Sequence, residues 1–163
     1  YAVLKSSAND GVITEQLQII SHSRGSAFAS GYMQSVSAEI RDLANKDNMS
    51  FSYGSDKIVE YSINIGPHQS NHISYEESGT LNVNISHFGD ILSGNDASGN
   101  VINIHSCMDG LEQHRNATFI PELEFVLPVL EAGGPKSDIK KQLINLYQQW
   151  NQKHPIQIKS TVE

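Results

Sequence analysis

Near the N-terminus a strand pattern gives way almost at once to a helix pattern, and this junction limits the folds open to the chain. Residues 17–21, Leu-Gln-Ile-Ile-Ser, form a short apolar run typical of a buried strand. Residues 24–45 then carry apolar side chains at helical spacing. Ser23 lies in the turn between the two patterns, followed directly by Arg24 and Gly25.

Later segments continue the alternation of strand and helix patterns. Gly66 and Pro67 end a second strand pattern, and residues 80–85 alternate as a third. Residues 121–130 fit either class. The order strand, helix, strand, strand, helix predicts an α/β fold with a mostly parallel sheet flanked by helices. The predicted strands are 17–21, 57–66, 80–85 and 101–104, and the predicted helices are 24–45 and 137–150.

The length of the chain predicts one domain over residues 1–163. A chain of 163 residues is large enough for one packed core and too small for two comfortable ones. The polar residues 151–163 are expected to form a flexible tail. Because the first residue is Tyr and not Met, we also expect a fragment or a processed chain. In that case the chain is only the C-terminal part of a larger fold.

Charge and cysteine content exclude several classes of function. The net charge of -7 repels phosphate backbones, so nucleic acid is not an expected partner. Cys107 stands alone, which excludes an internal disulfide and a cysteine-rich zinc site and leaves the redox compartment open. No apolar run of about 18 residues predicts a membrane span.

Ser23 occupies the position that a catalytic serine requires. A serine hydroxyl attacks a carbonyl only where a histidine can take its proton and where backbone N–H groups can hold the oxyanion. A sharp turn from strand to helix meets both needs, and it demands small residues two before and two after the serine, here Ser21 and Gly25. The N–H of Arg24 is the expected oxyanion donor. A simpler interpretation is a turn that merely needs small residues.

The run from His22 to Ala27, His-Ser-Arg-Gly-Ser-Ala, resembles the nucleophile elbow of α/β-hydrolase lipases. More narrowly, "SHSRGSAFASGY" is similar to the lipase-like tail domains of bacterial polymorphic (Rhs-type) toxins. The resemblance covers residues 15–125 in element order, and Ser21 departs from the glycine of the usual motif. It implies an ester or lipid hydrolase with no cofactor and chain order Ser, Asp, His. It also implies a secreted or delivered effector that a neutralising immunity protein holds.

The chain order implied by the resemblance places the acid and the histidine after later strands. Asp90 follows the strand at 80–85 and is our candidate acid, with Asp96 as its main alternate. His114 is our candidate base, with His105 as its alternate. The predicted triad is therefore Ser23, Asp90 and His114, acting on an ester or lipid substrate.

Other interpretations of the same residues remain open. A second oxyanion donor is expected from a strand upstream of Tyr1, supplied by a segment of the same precursor. Without it, the chain would be a non-catalytic interaction domain on a hydrolase scaffold. A metal-dependent hydrolase is a third possibility, but Gly66 and Pro67 argue against a helix that would align His68 with His72. We therefore predict no metal site.

Overall fold

The computed structural model describes residues 1–75, 79–88, 90, 92–93, 96–106 and 116–153. Helices and strands alternate along this part of the chain, with short 3₁₀ helices at Ser70–His72 and Asn116–Phe119. The α-helices are α1 (Ala2–Ser6), α2 (Gly25–Lys46), α3 (Ile120–Glu131) and α4 (Lys136–Lys153). The strands are β1 (Val12–Ile13), β2 (Leu17–His22), β3 (Ser50–Phe51), β4 (Val59–Ile65), β5 (Ser74–Tyr75), β6 (Leu81–His87), β7 (Ser98–Gly99) and β8 (Val101–Ser106).

The main sheet has four strands in the order β2-β4-β6-β8, and every pair in it is parallel. Two short parallel pairs, β1 with β3 and β5 with β7, stand beside it. Because parallel strands all end at the same side of a sheet, the last residues of these strands, His22, Ile65, His87 and Ser106, lie at one edge. We call this the carboxyl edge, and Ser23 lies on it.

One face of the sheet is aliphatic and is covered by α3 and α4. Leu143 of α4 and Val126 of α3 are fully buried there, and α4 packs directly on β8. Burial of each such side chain contributes roughly 1.5–3 kcal/mol, which makes this layer the main source of stability. The strand residues of this core are Tyr61, Ile63, Ile65, Val83, Ile85, Ile102 and Ile104.

The opposite face of the sheet is polar although it is buried. Asn64 and Asn84 lie on neighbouring strands beneath α2 and the β5–β7 pair, and both are almost fully shielded from solvent. The Asn64 side chain accepts a hydrogen bond from Ser21 at 2.7 Å, and Asn84 donates to Asn103 at 3.3 Å. Tyr75 donates its hydroxyl to Asn84, and burial raises the pKa of that hydroxyl. Because such groups need specific partners, they help to fix the strand register.

The predicted α/β fold with a mostly parallel sheet is confirmed. The strands and helices expected at 17–21, 24–45 and 57–66 are present with shifts of one or two residues. The ambiguous segment 121–130 lies in α3, which contains Pro128. The expected tail is corrected at its start, since α4 continues through residue 153, and residues 154–163 lie outside the described part. None of the helices that the structure describes is long and apolar enough to cross a membrane.

We predict opposite stability effects from two Gly→Ala substitutions. A Cβ at Gly79 would stand 1.9 Å from the carbonyl oxygen of Asp56, which is backbone and cannot swing away. Gly79→Ala should therefore lower the free energy of unfolding by about 1–3 kcal/mol. A Cβ at Gly31 in α2 meets no atom within 4 Å, so Gly31→Ala should raise it by up to about 1 kcal/mol. Urea denaturation followed by circular dichroism measures both, and equal stabilities would contradict the described packing at Gly79.

Candidate functional site

Ser23 stands in a strained turn between β2 and α2. Its φ of 54° lies in the left-handed region, which residues other than glycine rarely adopt. The turn is held by two backbone hydrogen bonds of 3.1 Å, from the N–H of Ser23 to Ile65 and from the N–H of Ser26 to Ser23. Such strain costs on the order of 1–3 kcal/mol and is found at functional sites. The predicted strand-to-helix turn is confirmed, while the nucleophilic role of Ser23 stays a prediction.

The residues on either side of Ser23 differ in what they contribute. The hydroxyl of Ser21 bonds to Asn64 at 2.7 Å and to Ser26 at 3.1 Å, so this serine belongs to the polar network beneath α2. A Cβ at Gly25 would meet no atom within 4 Å, which leaves open space above the start of α2.

Arg24 directly precedes the first residue of α2. The first N–H groups of a helix have no acceptor inside the helix, and the helix dipole makes this end positive. The backbone N–H of Arg24 is therefore suited to bind an oxyanion that forms beside Ser23.

The loop after β4 connects the serine turn to the loop that carries Asp90. The N–H of His68 donates to the carbonyl of Ser23 at 3.2 Å, and the N–H of Gln69 donates to Leu92 at 2.8 Å. Ser70 adds a third backbone bond, 2.7 Å, to Ser93. Gln69 has a φ of 51°, so this connection also contains strained backbone. The two candidate loops are thus held at a fixed separation.

Asp90 lies just beyond the end of β6, on the carboxyl edge. Its two carboxylate oxygens accept hydrogen bonds from the N–H of Leu92 at 3.0 Å and from the hydroxyl of Ser93 at 2.6 Å. Since β4 separates β2 from β6, a strand spacing of about 4.8 Å puts the strands of Ser23 and Asp90 roughly 10 Å apart.

The candidate base lies outside the described residues. His114 and Asp109 both fall in residues 107–115, between the end of β8 at Ser106 and the 3₁₀ helix that begins at Asn116. The strand before that segment, β8, ends at Ser106 on the carboxyl edge and is the neighbour of β6. The role predicted for His114 stays a prediction.

The alternates His105 and Asp96 contact each other. The Nε2 atom of His105 lies 2.6 Å from the Asp96 carboxylate, and its Nδ1 atom lies 2.9 Å from the hydroxyl of Ser86. Three strand spacings, about 14 Å in total, separate β8 from β2, so His105 is remote from Ser23. The structure therefore brings the two alternates together on the polar face and does not place them beside Ser23.

A buried cluster behind the carboxyl edge was not predicted from the sequence. His87 and Glu122, both fully buried, are joined by a 2.7 Å contact between Nε2 and Oε1, and Ser106 donates to the same carboxylate oxygen at 2.7 Å. The His87 ring stacks on Phe119 with centroids 4.0 Å apart. The N–H of Asp90 donates to the His87 carbonyl, so the cluster fixes the start of the candidate acid loop.

The buried cluster also holds polar atoms that lack a partner. Neither Oε2 of Glu122 nor the hydroxyl of Tyr147 has a hydrogen bond within the described part of the chain. Burial and then the nearby Glu122 carboxylate raise the pKa of Tyr147 well above its ordinary value. The Tyr147 hydroxyl therefore stays protonated at ordinary pH and adds little stability.

The described residues form no metal cluster, and the cleft that they enclose has no serine or cysteine nucleophile in its walls. No group of three or more His, Cys, Asp or Glu side chains there could hold a metal ion. His72 lies in a single 3₁₀ turn that begins after His68, so the two do not share a helix face. A cleft of about 440 Å³ opens between Tyr53, Lys57 and Lys136, away from the carboxyl edge, and no Ser, Cys or His lines its described walls.

We predict that Glu122→Ala and Tyr147→Phe have different effects on stability. Removing the Glu122 side chain takes a shared buried acceptor from His87 and Ser106, which should cost about 1–3 kcal/mol. Tyr147→Phe removes a hydroxyl that has no described partner, so it should be neutral or stabilise by up to about 1 kcal/mol. Urea denaturation measures both. A loss above about 1.5 kcal/mol for Tyr147→Phe would show that its hydroxyl is bonded.

Comparisons with protein-family models, with curated proteins and with solved structures gave no match. The structure shows an α/β fold with a parallel sheet. The resemblance to lipases rests on the residues around Ser23, and the activity has to be inferred from the geometry of the carboxyl edge.

Proposed function

We propose that the protein is a serine hydrolase that cleaves esters, with Ser23 as nucleophile, His114 as base and Asp90 as acid. One observation carries the proposal: a serine with left-handed backbone at the turn from a parallel strand into a helix. Regular strand or helix would not need this conformation, and it raises a side chain above the sheet edge. The hydrogen bonds from the loop after β4 to both the Ser23 turn and the Asp90 loop support the pairing.

In the proposed reaction the Ser23 oxygen attacks the ester carbonyl carbon as its proton passes to His114. The carbonyl oxygen becomes an oxyanion, which the N–H of Arg24 stabilises at the start of α2. When the C–O bond to the alcohol breaks, His114 returns the proton to the leaving oxygen. Water then attacks the acyl-enzyme by the same route and restores Ser23, while Asp90 orients the imidazole and stabilises its charged form.

Exposed apolar side chains around the carboxyl edge favour a substrate with an acyl chain. Phe88 and Leu92 flank Asp90, and both are exposed. Ile120, at the start of α3, and Phe28, in the first turn of α2, are exposed near the same edge. Apolar surface beside a nucleophile suits a lipid or another acyl ester better than a charged substrate. The toxin-like motif adds the proposal that the substrate is a phospholipid of a competitor and that an immunity protein neutralises the domain.

A second oxyanion donor is expected from an upstream segment of the same precursor. The N–H of His68 bonds to the Ser23 carbonyl on the β4 side. Among the described residues, Arg24 is the one oxyanion donor that we propose. A site with one donor favours the rival candidate, a non-catalytic interaction domain.

We predict that a fluorophosphonate probe labels the wild-type protein and not Ser23→Ala. The matched control is Ser86→Ala, which removes the hydroxyl next to His105. Because Ser86 is only 6% exposed and lies within a strand, this variant should keep full labelling. Mass spectrometry of the labelled peptide identifies the serine. A folded wild-type chain that takes no label favours the interaction domain. Loss of label in Ser86→Ala alone would identify Ser86, which bonds to His105, as the nucleophile.

We predict that substitution of the candidate acid and base lowers the activity, whereas substitution of their alternates, Asp96 and His105, leaves it nearly unchanged. Asp90→Asn and His114→Ala should each lower kcat/KM for a p-nitrophenyl ester by roughly 10²–10⁴-fold, because the proton transfer loses its base or its orientation. Asp96→Asn and His105→Ala should change it less than about threefold. Initial rates measured spectrophotometrically give all four values. Activity that survives in Ser23→Ala and disappears with a chelator would instead indicate a metal-dependent hydrolase.

A further inference from the structure

Strand β2 is an unprotected edge of the main sheet. It pairs with β4 on one side and has no second neighbour among the described strands. Exposed sheet edges in natural proteins usually carry lysine, proline or another device that prevents pairing with a second chain. The residues of β2, Leu-Gln-Ile-Ile-Ser-His, include no proline and no Lys, Arg, Asp or Glu. This edge is therefore suited to pair with another strand.

The centre of the open edge is Ile20. The N–H groups of Leu17 and Ser23 donate to carbonyls on the β4 side, at 2.9 and 3.1 Å. Because successive residues of a strand direct their N–H and C=O groups to opposite sides, Gln18 and Ile20 direct theirs away from β4. The Ile20 side chain is 52% exposed beside the aliphatic core.

Helix α2 carries a second exposed apolar feature, close to the level of Ile20 along the sheet. Phe28 and Tyr32 stack with ring centroids 6.0 Å apart and are 75% and 49% exposed. Ser30 bonds to Ser74 of β5, so the opposite side of the helix, which carries Phe28 and Tyr32, is turned away from β5. Along α2, Tyr32 lies about 10 Å from Gly25, and along β2, Ile20 lies about 10 Å from Ser23. Tyr32 and Ile20 are therefore at about the same distance from the turn at Ser23, measured along the strand direction.

We propose that β2 pairs antiparallel with β2 of a second copy, around a two-fold axis that passes next to Ile20. The two main sheets then form one continuous sheet, with Ile20 opposite Ile20 and Gln18 opposite His22. The two-fold axis lies half a strand spacing outside β2. Helix α2 packs on both β2 and β4, so its axis lies over the space between them, about one strand spacing from the two-fold axis. The two α2 helices come about 10 Å apart, which is the normal distance between packed helices, and Tyr32 of one faces Tyr32 of the other.

The exposed side chains would supply most of the area that a dimer interface needs. A whole aromatic side chain has about 150–250 Å² of surface. From their exposed fractions, Phe28, Tyr32 and Ile20 together expose on the order of 350 Å² in each copy. Two copies contribute roughly 700 Å² before the strand backbone and the rest of α2 are counted, close to the 1,000 Å² or so of a specific interface. The absence of charged residues on β2 avoids repulsion between two chains of net charge -7. The dimer does not depend on the proposed hydrolase activity, but it excludes pairing of an upstream strand of the same precursor with β2.

The first test is the mass of the protein in solution. Sedimentation velocity of the full chain at 1–100 µM, a range chosen around about micromolar dimer affinity, should show a dimer. Ile20→Lys and Tyr32→Glu should each shift it to the monomer, because either change buries a charge at the interface. The matched control is Ile144→Lys, which alters an exposed isoleucine of α4 and should leave the dimer intact. Circular dichroism checks that each variant is folded.

The second test locates the two-fold axis. In a Cys107→Ser background, Ile20→Cys should form a disulfide between copies under mild oxidation, since facing residues of such a pair have Cα atoms about 5.5 Å apart. Ile144→Cys should stay uncrosslinked at the same concentration. A chain that sediments as a monomer throughout, or a dimer unaffected by Ile20→Lys, overturns the proposal. So does an edge that binds only an upstream segment or another protein, because Ile20→Cys would then not crosslink to itself.

Discussion

Three backbone hydrogen bonds in the loop after β4 hold the carboxyl edge in one arrangement. They run from His68, Gln69 and Ser70 to the turn of Ser23 and to the loop that follows Asp90. Backbone bonds of this kind do not depend on side-chain rotamers, so the two loops keep their separation while side chains move. The left-handed backbone at Ser23 persists because this loop and β4 restrain it from one side and α2 from the other.

The two faces of the sheet have different roles: one contributes most of the stability and the other positions the loops. The aliphatic face, covered by α3 and α4, supplies most of the hydrophobic burial. The polar face contributes less by burial, but its amide and hydroxyl groups each need a particular partner. The bonds from Asn103 to both backbone groups of Ala97 show the consequence, since they tie the loop before β8 to the sheet. Buried polar groups thus position loops that apolar contacts alone would leave free to shift.

Periodicity was sufficient to predict the elements that surround the candidate site. The apolar run at 17–21, the helical spacing after Ser23 and the glycine at 66 marked β2, α2 and the end of β4 correctly. Periodicity could not reveal contacts that depend on strand order. His105 meets Ser86 because β8 pairs with β6 in one register, and His87 meets Glu122 because α3 folds back over that register. The apolar run of α3 contains two glutamates, Glu122 and Glu124, and the sequence indicates neither which one is buried nor what it contacts.

Ser23 and Ser86 differ in their backbone, and this difference favours Ser23 as the proposed nucleophile. Ser86 sits in the regular strand β6 and is almost buried, so a substrate carbonyl cannot approach its oxygen, and no helix begins beside it. Its bond to His105 therefore serves the polar network of the sheet. Ser23 stands outside regular structure, at the N-terminal end of a 22-residue helix and beneath open space at Gly25. At Ser86 an imidazole lies within hydrogen-bond distance of the hydroxyl. The proposal for Ser23 rests instead on the strained turn and on a positive helix end for the charge that develops in acyl transfer.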